Sequence, residues 1–205
     1  MIRALFKSSF CISSLLIAFV SSYSLAQTDV VNVLMTTSQG EIEIELYLGR
    51  APITAANFLR LVEGGHMDDS TFYRTVTYEN DNGSPRIEVI QGGPNQGEGP
   101  FPPIAHETTE QTGILHVDGA ISMSRGGVGT ASTEFFICIG DQPGLDYGQP
   151  RNADMQGFAA FGKVVRGMDV VRAINNSATD ETSYSEYTRG QQISEPVVIE
   201  SVVRL

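Results

Sequence analysis

The stretch that most constrains this chain is Phe72–Gly93, FYRTVTYENDNGSPRIEVIQGG. Two β-type runs flank an Asn82-Gly83 pair, the dipeptide that best suits a two-residue hairpin because both central positions need positive φ. A turn at that point sets the pairing, with Arg74 opposite Gln91, Val76 opposite Val89 and Tyr78 opposite Ile87. Side chains alternate along a strand, so Arg74, Val76, Val89 and Gln91 share one face. A guanidinium, an amide and an apolar floor then lie together, a surface suited to holding a peptide.

The first 26 residues belong to a different problem. Arg3 and Lys7 precede an apolar run of 11 residues, Phe10–Val20, and Ser24-Leu25-Ala26 supplies small residues for cleavage. This is the pattern of a secretory signal peptide over 1–26, and it implies export, with the periplasm as the expected compartment. The run is shorter than the roughly 20 residues a membrane helix needs, so no membrane association is expected after cleavage. The chain has 205 residues and a formal charge of −11, and loss of the purely basic leader makes the remainder more acidic. Such a balance opposes binding to nucleic acid or to anionic membrane surfaces and favours a soluble protein, expected as a monomer. Beyond the leader the only cysteine is Cys138, so no internal disulfide can form and the thiol is expected to be an inert part of the core.

Along the rest of the chain, residues 41–46 alternate strictly, which places Ile42, Ile44 and Leu46 inward and leaves three glutamates solvated. Residues 51–64 read as a helix with Thr54 as N-cap, an apolar face of Ala55, Phe58, Leu59 and Val62, and a stop at Gly64-Gly65. Residues 97–112 read as irregular surface. Two strands follow, 119–125 and 132–140, around a glycine-rich turn that lacks the Lys and following helix of a phosphate loop. On the second strand Glu134, Phe136 and Cys138 point one way and Phe135, Ile137 and Ile139 the other. A strand at 158–165, a helix at 167–176, a polar mobile loop at 177–192 and a last strand at 196–205 complete the chain. His66, His106 and His116 have no partner at metal-ligand spacing, so no metal is expected, and no Ser-His-Asp or Cys-His set is evident. Many short strands, two helices and abundant glycine turns imply one all-β barrel or sandwich with helical plugs.

Several of these segments occur together in the order found in one family. FYR at 72–74, IQGG at 90–93, AISMSR at 120–125, EFFICIG at 134–140, GLDYG at 144–148 and FGKVVRGMDVV at 161–171 make residues 32–205 resemble a cyclophilin-type peptidyl-prolyl isomerase, in an exported bacterial form. The resemblance implies a closed eight-stranded antiparallel β-barrel with a helix capping each end. It implies an isomerase that needs no cofactor or metal and acts on proline-containing polypeptides, here folding exported chains. A peptide-holding chaperone or scaffold of the same fold is the alternative. By the same resemblance Arg74 is the catalytic residue and Gln91 its orienting partner. Val89, Phe136, Leu145 and Phe158 line the proline pocket. Ser124, Arg125 and Gly126 match the strand end whose backbone pairs with substrate. Glu134 stands where Gln is usual, Arg125 where Asn is, Glu88 where Phe is common, and Gly144 where Trp or Phe precedes the Leu-Asp pair. The connection after Arg74 is longer than the family's.

Overall fold

The computed structural model describes residues 30–94, 99–181, 183 and 185–205; the leader expected at 1–26 lies outside them. Strands β1 (Val30–Thr37) and β2 (Gly40–Tyr47) form a tight hairpin in which Ile42, Ile44 and Leu46 are fully buried, as the alternation requires. Helix α1 (Pro52–Glu63) follows, then β3 (Ser70–Val76) and β4 (Val89–Gly93). A one-turn helix α2 (Thr109–Thr112) precedes β5 (Ala120–Met123) and β6 (Phe135–Cys138). Strand β7 (Ala159–Arg166), helix α3 (Met168–Asn175), a two-residue strand β8 (Thr179–Asp180) and the long β9 (Gln192–Arg204) end the chain.

All pairings are antiparallel. The order β1-β2-β7-β5-β6-β4-β3-β9 closes through a β1–β9 pairing, which gives an eight-stranded barrel with β8 as an outer addition to β9. Closure removes the exposed edges that an open sheet must otherwise protect. The interior is filled by side chains. Phe58 of α1 meets Phe135 edge-on at 5.5 Å and Phe161 at 5.1 Å, and Phe72 meets Phe135 at 5.6 Å. Val171 and Ile174 of α3 join the same cluster. A second cluster, Val76, Ile87, Val89, Ala120, Phe136, Cys138 and Leu145 with Phe158 against it, is separate from the first. The alternation expected along β6 thus holds: Phe135, Ile137 and Ile139 belong to the inner cluster, Phe136 and Cys138 to the second.

Three local expectations are corrected. Ala51, not Thr54, is the N-cap of α1, with Pro52 opening the helix, while the Thr54 hydroxyl is buried and donates to Glu107 at 2.7 Å. Residues 108–113 form a capped helical turn, closed by reciprocal bonds between Thr108 and Gln111 and by Gly113 at φ 67°. Among the described residues of 177–192, β8 pairs with β9, a 3-10 turn spans Glu186–Thr188, and Gln191 is fully buried.

The predicted hairpin is right in its register and wrong in its turn. Arg74 pairs with Gln91 and Val76 with Val89, but the ladder stops there and Tyr78 has no ladder partnership with Ile87. Residues 77–88 form a long connection whose centre is Asp81. Its carboxylate accepts the N–H groups of Gly83 (2.9 Å) and Ile87 (2.8 Å) and two bonds from Arg151 (2.7 and 2.9 Å). Gly83 does not adopt positive φ. A Cβ there would lie 2.3 Å from Arg151 Nη1, so a side chain would push the guanidinium off Asp81. A carboxylate thus does the work expected of a turn dipeptide.

Replacing Phe58 with Ala removes a ring shared by α1, β6 and β7. The loss expected in a urea titration is about 3–5 kcal/mol, with the slope of the transition unchanged.

Candidate active site

The site is built on the face that carries the second cluster, by one row of side chains running across four strands. Arg74 on β3 pairs with Gln91 on β4, Gln91 with Phe136 on β6, and Phe136 with Ser122 on β5. A bulge makes the row possible. Between Phe72 and Arg74 the register of β3 against β4 slips by one residue at Tyr73, and at the same point the pairing with β9 jumps from Val197 to Gln192. Strict alternation would place Phe72 and Arg74 on the same face. The extra residue turns Phe72 into the barrel and leaves Arg74 on the outer surface, the re-aiming that bulges provide beside functional sites.

Arg74 is held by neutral partners. Its Nη1 donates to Gln91 Oε1 at 2.7 Å, and its Nε and Nη2 both donate to Gln191 Oε1, at 2.9 and 2.6 Å. The Tyr187 ring lies 5.7 Å from its guanidinium carbon. No carboxylate among the described residues lies within ion-pair distance of it, so the surface ion pair typical of an isolated arginine is absent. Burial lowers its pKa from the ordinary value, yet a guanidinium starts so high that it stays charged. On the far side of Gln91, the two N–H groups of Nε2 are shared among three oxygens, Tyr73 Oη (2.7 Å), Ser124 Oγ (3.1 Å) and Glu134 Oε2 (3.0 Å). Burial, with Glu134 adding to it, pushes the Tyr73 phenol well above its usual range, so that Tyr73 is neutral.

A cavity of about 320 Å³ opens beside Arg74. Its apolar walls are Ile87, Val89, Phe136, Leu145 and Phe158, and its polar rim includes Gln91, Ser124, Arg125 and Gly126. Nine of the ten residues singled out in the sequence therefore converge on one pocket. The tenth, Glu134, faces an adjoining polar recess of about 160 Å³ with Ser132 and Thr133, and meets Arg74 only through Gln91. Phe158 contacts Phe136 edge-on at 5.3 Å and carries the Arg125 guanidinium at 5.2 Å over its face. Arg125 in turn pairs with Asp154 through two bonds (2.7 and 2.8 Å) and donates to Gly157 O, which anchors the 151–157 loop at the pocket rim. Its side chain thus builds the wall, beyond anything its backbone does.

Two departures from the family pattern, Glu88 and Gly144, are explained by the long connection. Glu88 does not line the cavity; Ile87 does. A Cβ at Gly144 would lie 2.5 Å from Pro85 Cγ, so the connection fills the volume that an aromatic residue at 144 would need. Arg151, Tyr187 and Gln191 are site residues that sequence reasoning missed. Arg151 has its guanidinium buried against Asp81, with Pro85 O and Tyr187 Oη accepting further bonds at 2.7 and 2.6 Å. Burial alone would raise the Asp81 pKa, but these bonds from Arg151 and the Gly83 and Ile87 N–H groups hold it below the usual carboxylate range. Polar loop composition gave no signal for any of the three.

Behind Phe136 lies a hydrogen-bonded chain of Asp146, His116 and Ser122. His116 Nδ1 is 2.8 Å from Asp146 Oδ1, its Nε2 is 3.0 Å from Ser122 Oγ, and its ring stacks on Phe136. The order imitates a nucleophilic triad, but Ser122 is fully buried, so its hydroxyl cannot reach a substrate. Burial lowers the His116 pKa and the Asp146 carboxylate opposes it only in part. A neutral folded His116 competes with an unfolded one that titrates near pH 6.5. Its contribution is therefore complete above pH 6.5 and declines as pH falls toward the folded value. Urea titrations from pH 8 to 5.5 should show stability dropping with a slope of up to about 1.4 kcal/mol per pH unit below 6.5, and His116→Gln should flatten that slope.

Comparison with known proteins agrees with this architecture. The family model "Cyclophilin type peptidyl-prolyl cis-trans isomerase/CLD" matches residues 32–204. Peptidyl-prolyl cis-trans isomerase A of Dickeya dadantii is 33% identical over 184 residues, covering 88% of this chain and 87% of that protein. A peptidyl-prolyl cis-trans isomerase of Acinetobacter baylyi is 34% identical over 189 residues, covering 89% and 88%. Among solved structures, a cyclophilin type isomerase of Cryptosporidium parvum superposes with a TM-score of 0.67 at 20% identity, over 86% of this chain and 98% of that one. The same protein has been crystallised in the presence of the dipeptide Ala-Pro, with a TM-score of 0.64. A closed barrel with an arginine-edged apolar pocket on its outer face, together with a family match spanning nearly all the described chain, places this protein in the cyclophilin-type peptidyl-prolyl cis-trans isomerase family, whose members need no cofactor.

Proposed function

We propose that Arg74 is the catalytic group of this isomerase, that the adjoining cavity takes the proline ring, and that the natural substrates are exported polypeptides during folding. The carrying observation is the Arg74 guanidinium, held by Gln91 and Gln191 through neutral oxygens and left without a counter-charge at the cavity edge.

The reaction breaks no covalent bond. An X-Pro amide must rotate through a state in which resonance is lost, a barrier of roughly 18–20 kcal/mol. Uncatalysed rotation takes about 10–100 s, so turnover at typical enzyme rates asks for about 3–7 kcal/mol of transition-state stabilisation. As the amide twists, its nitrogen regains a lone pair. Arg74 retains one N–H on each terminal nitrogen beyond those given to Gln91 and Gln191, and can donate to that nitrogen. This interaction is stronger in the twisted state than in either planar isomer, which is the condition for catalysis. Val89, Phe136, Leu145 and Phe158 would hold the proline ring and keep water from the amide. Peptide pairing at 124–126 would use the Arg125 N–H and neighbouring carbonyls, because the Ser124 N–H already goes to Glu134 O and the Gly126 N–H to Thr130 Oγ1. Glu134 would act on the site through Gln91.

The Ala-Pro dipeptide present with the Cryptosporidium structure supports proline-containing peptides as ligands here. The pattern of residues 1–26 supports export to the periplasm, and the acidic composition supports a soluble monomer free of nucleic acid.

Arg74→Ala should lower turnover of an X-Pro peptide by about 10²–10³-fold with little change in folding. Equal rates in the two proteins would remove Arg74 from the mechanism. N-terminal sequencing of the protein recovered from an exporting cell should begin near Gln27; an intact Met1 would argue against the leader.

A further inference from the structure

Gln191 lies 117 residues from Arg74 along the chain, yet it makes two of the three hydrogen bonds of that side chain among the described residues. It follows the Glu186–Thr188 turn and immediately precedes β9. Its side chain is fully buried and held at both ends. Nε2 donates to the Asn80 carbonyl at 2.8 Å, and Oε1 receives Arg74. The orientation of the amide is therefore determined: reversing it would set an NH₂ group against the guanidinium and an oxygen against a carbonyl. The backbone is held as well, since the Thr75 N–H donates to Gln191 O at 2.9 Å and the Gln191 N–H to Thr188 O at 3.2 Å. Asn80 is itself anchored, with its amide donating to Thr75 O and Gly190 O and its oxygen receiving the Thr77 N–H.

These bonds determine what Arg74 can offer. A guanidinium has five N–H donors in one plane. Gln191 takes Nε–H and one Nη2–H, Gln91 takes one Nη1–H, and the plane is set from two sides. One hydrogen on each terminal nitrogen remains. Both clamps are neutral, so they orient the cation without cancelling its charge; a carboxylate in either place would orient it equally well and weaken its field at the substrate.

We infer that Gln191 is a positioning residue for Arg74: it holds the guanidinium plane so that a free N–H is directed at the prolyl nitrogen, and it does so as an uncharged acceptor. This rests on the reading of Arg74 as the amide donor. It links the 77–88 connection, through Asn80, and the 186–191 segment to the chemistry of the barrel face.

The test is a double-mutant cycle on the full domain, using Gln191→Met, which keeps length and volume but removes the acceptor, and Arg74→Ala. Exchange rates of an X-Pro peptide are read by NMR at enzyme concentrations high enough to quantify weak activity. Gln191→Met is expected to lower kcat 10-fold or more with KM within twofold, and to cause no further loss in the Arg74→Ala background. The ¹⁵N–¹H resonance of Arg74 Nε should also lose its hydrogen-bonded position while backbone amide signals of the strands stay in place. Wild-type activity in Gln191→Met, with Arg74→Ala inactive, overturns the role of Gln191 alone. An equal loss in both backgrounds overturns it too, because the residue would then act through the loop and not through Arg74. Wild-type activity in Arg74→Ala overturns the catalytic reading on which this one rests. If Gln191→Met does not fold, Gln191→Asn, whose amide falls one methylene short, is expected to give the same loss of kcat.

Discussion

The site depends on one extra residue in a strand. A barrel of this size is full: its interior belongs to Phe58, Phe72, Phe135, Phe161 and the aliphatic side chains around them, and no substrate can enter. Binding must therefore occur on the outer surface, where strand side chains would ordinarily be polar. At Tyr73 the bulge separates two demands on adjacent segments of β3. Upstream, Phe72 completes the interior packing; downstream, Arg74 and Val76 face outward and join the rows that run across β4 and β6. The guanidinium and its apolar neighbours then lie on a rigid sheet, where positions are held more closely than a loop would allow.

What the rows leave undone is supplied by three connections. The 77–88 segment brings Asp81 and Asn80, the 151–157 segment brings Arg151 and Asp154, and the 186–191 segment brings Tyr187 and Gln191. Arg151 joins all three, through Asp81 and through Tyr187 Oη, and the Arg125–Asp154 pair ties the 151–157 segment to the end of β5. The buried Arg151–Asp81 pair is costly to desolvate and is offset by the further bonds that each partner makes. Its role is best seen as geometric. It sets where the connections meet, and so the width of the pocket beside Arg74.

The parts of this arrangement legible in the sequence were those governed by periodicity. Ile42, Ile44 and Leu46 faced inward because β2 alternates; Phe135 and Phe136 fell on opposite faces for the same reason; and Arg74 met Gln91 because the two strand ends were identified. The order of short motifs along the chain pointed to the barrel. The bulge was not visible, since a slip of one residue changes no pattern over so short a strand. The turn at Asn82-Gly83 was misread because its glycine answers to steric approach by Arg151, 68 residues later, and not to local φ. Gln191 stayed hidden for a related reason: its partners, Arg74 and Asn80, are distant in sequence, and nothing in the composition of a polar loop distinguishes a buried amide from a solvated one.

The contact between Pro85 and Gly144 carries a consequence for how such chains vary. A Cβ at 144 would lie 2.5 Å from Pro85 Cγ, so a bulky side chain at 144 competes for space with the connection as it is placed here. Neither position can be judged alone. A glycine there reads as a lost aromatic when the motif is viewed by itself, and as a space cleared for an incoming loop when the two segments are viewed together. A bulky residue at 144 would therefore require Pro85 and its neighbours to move as well.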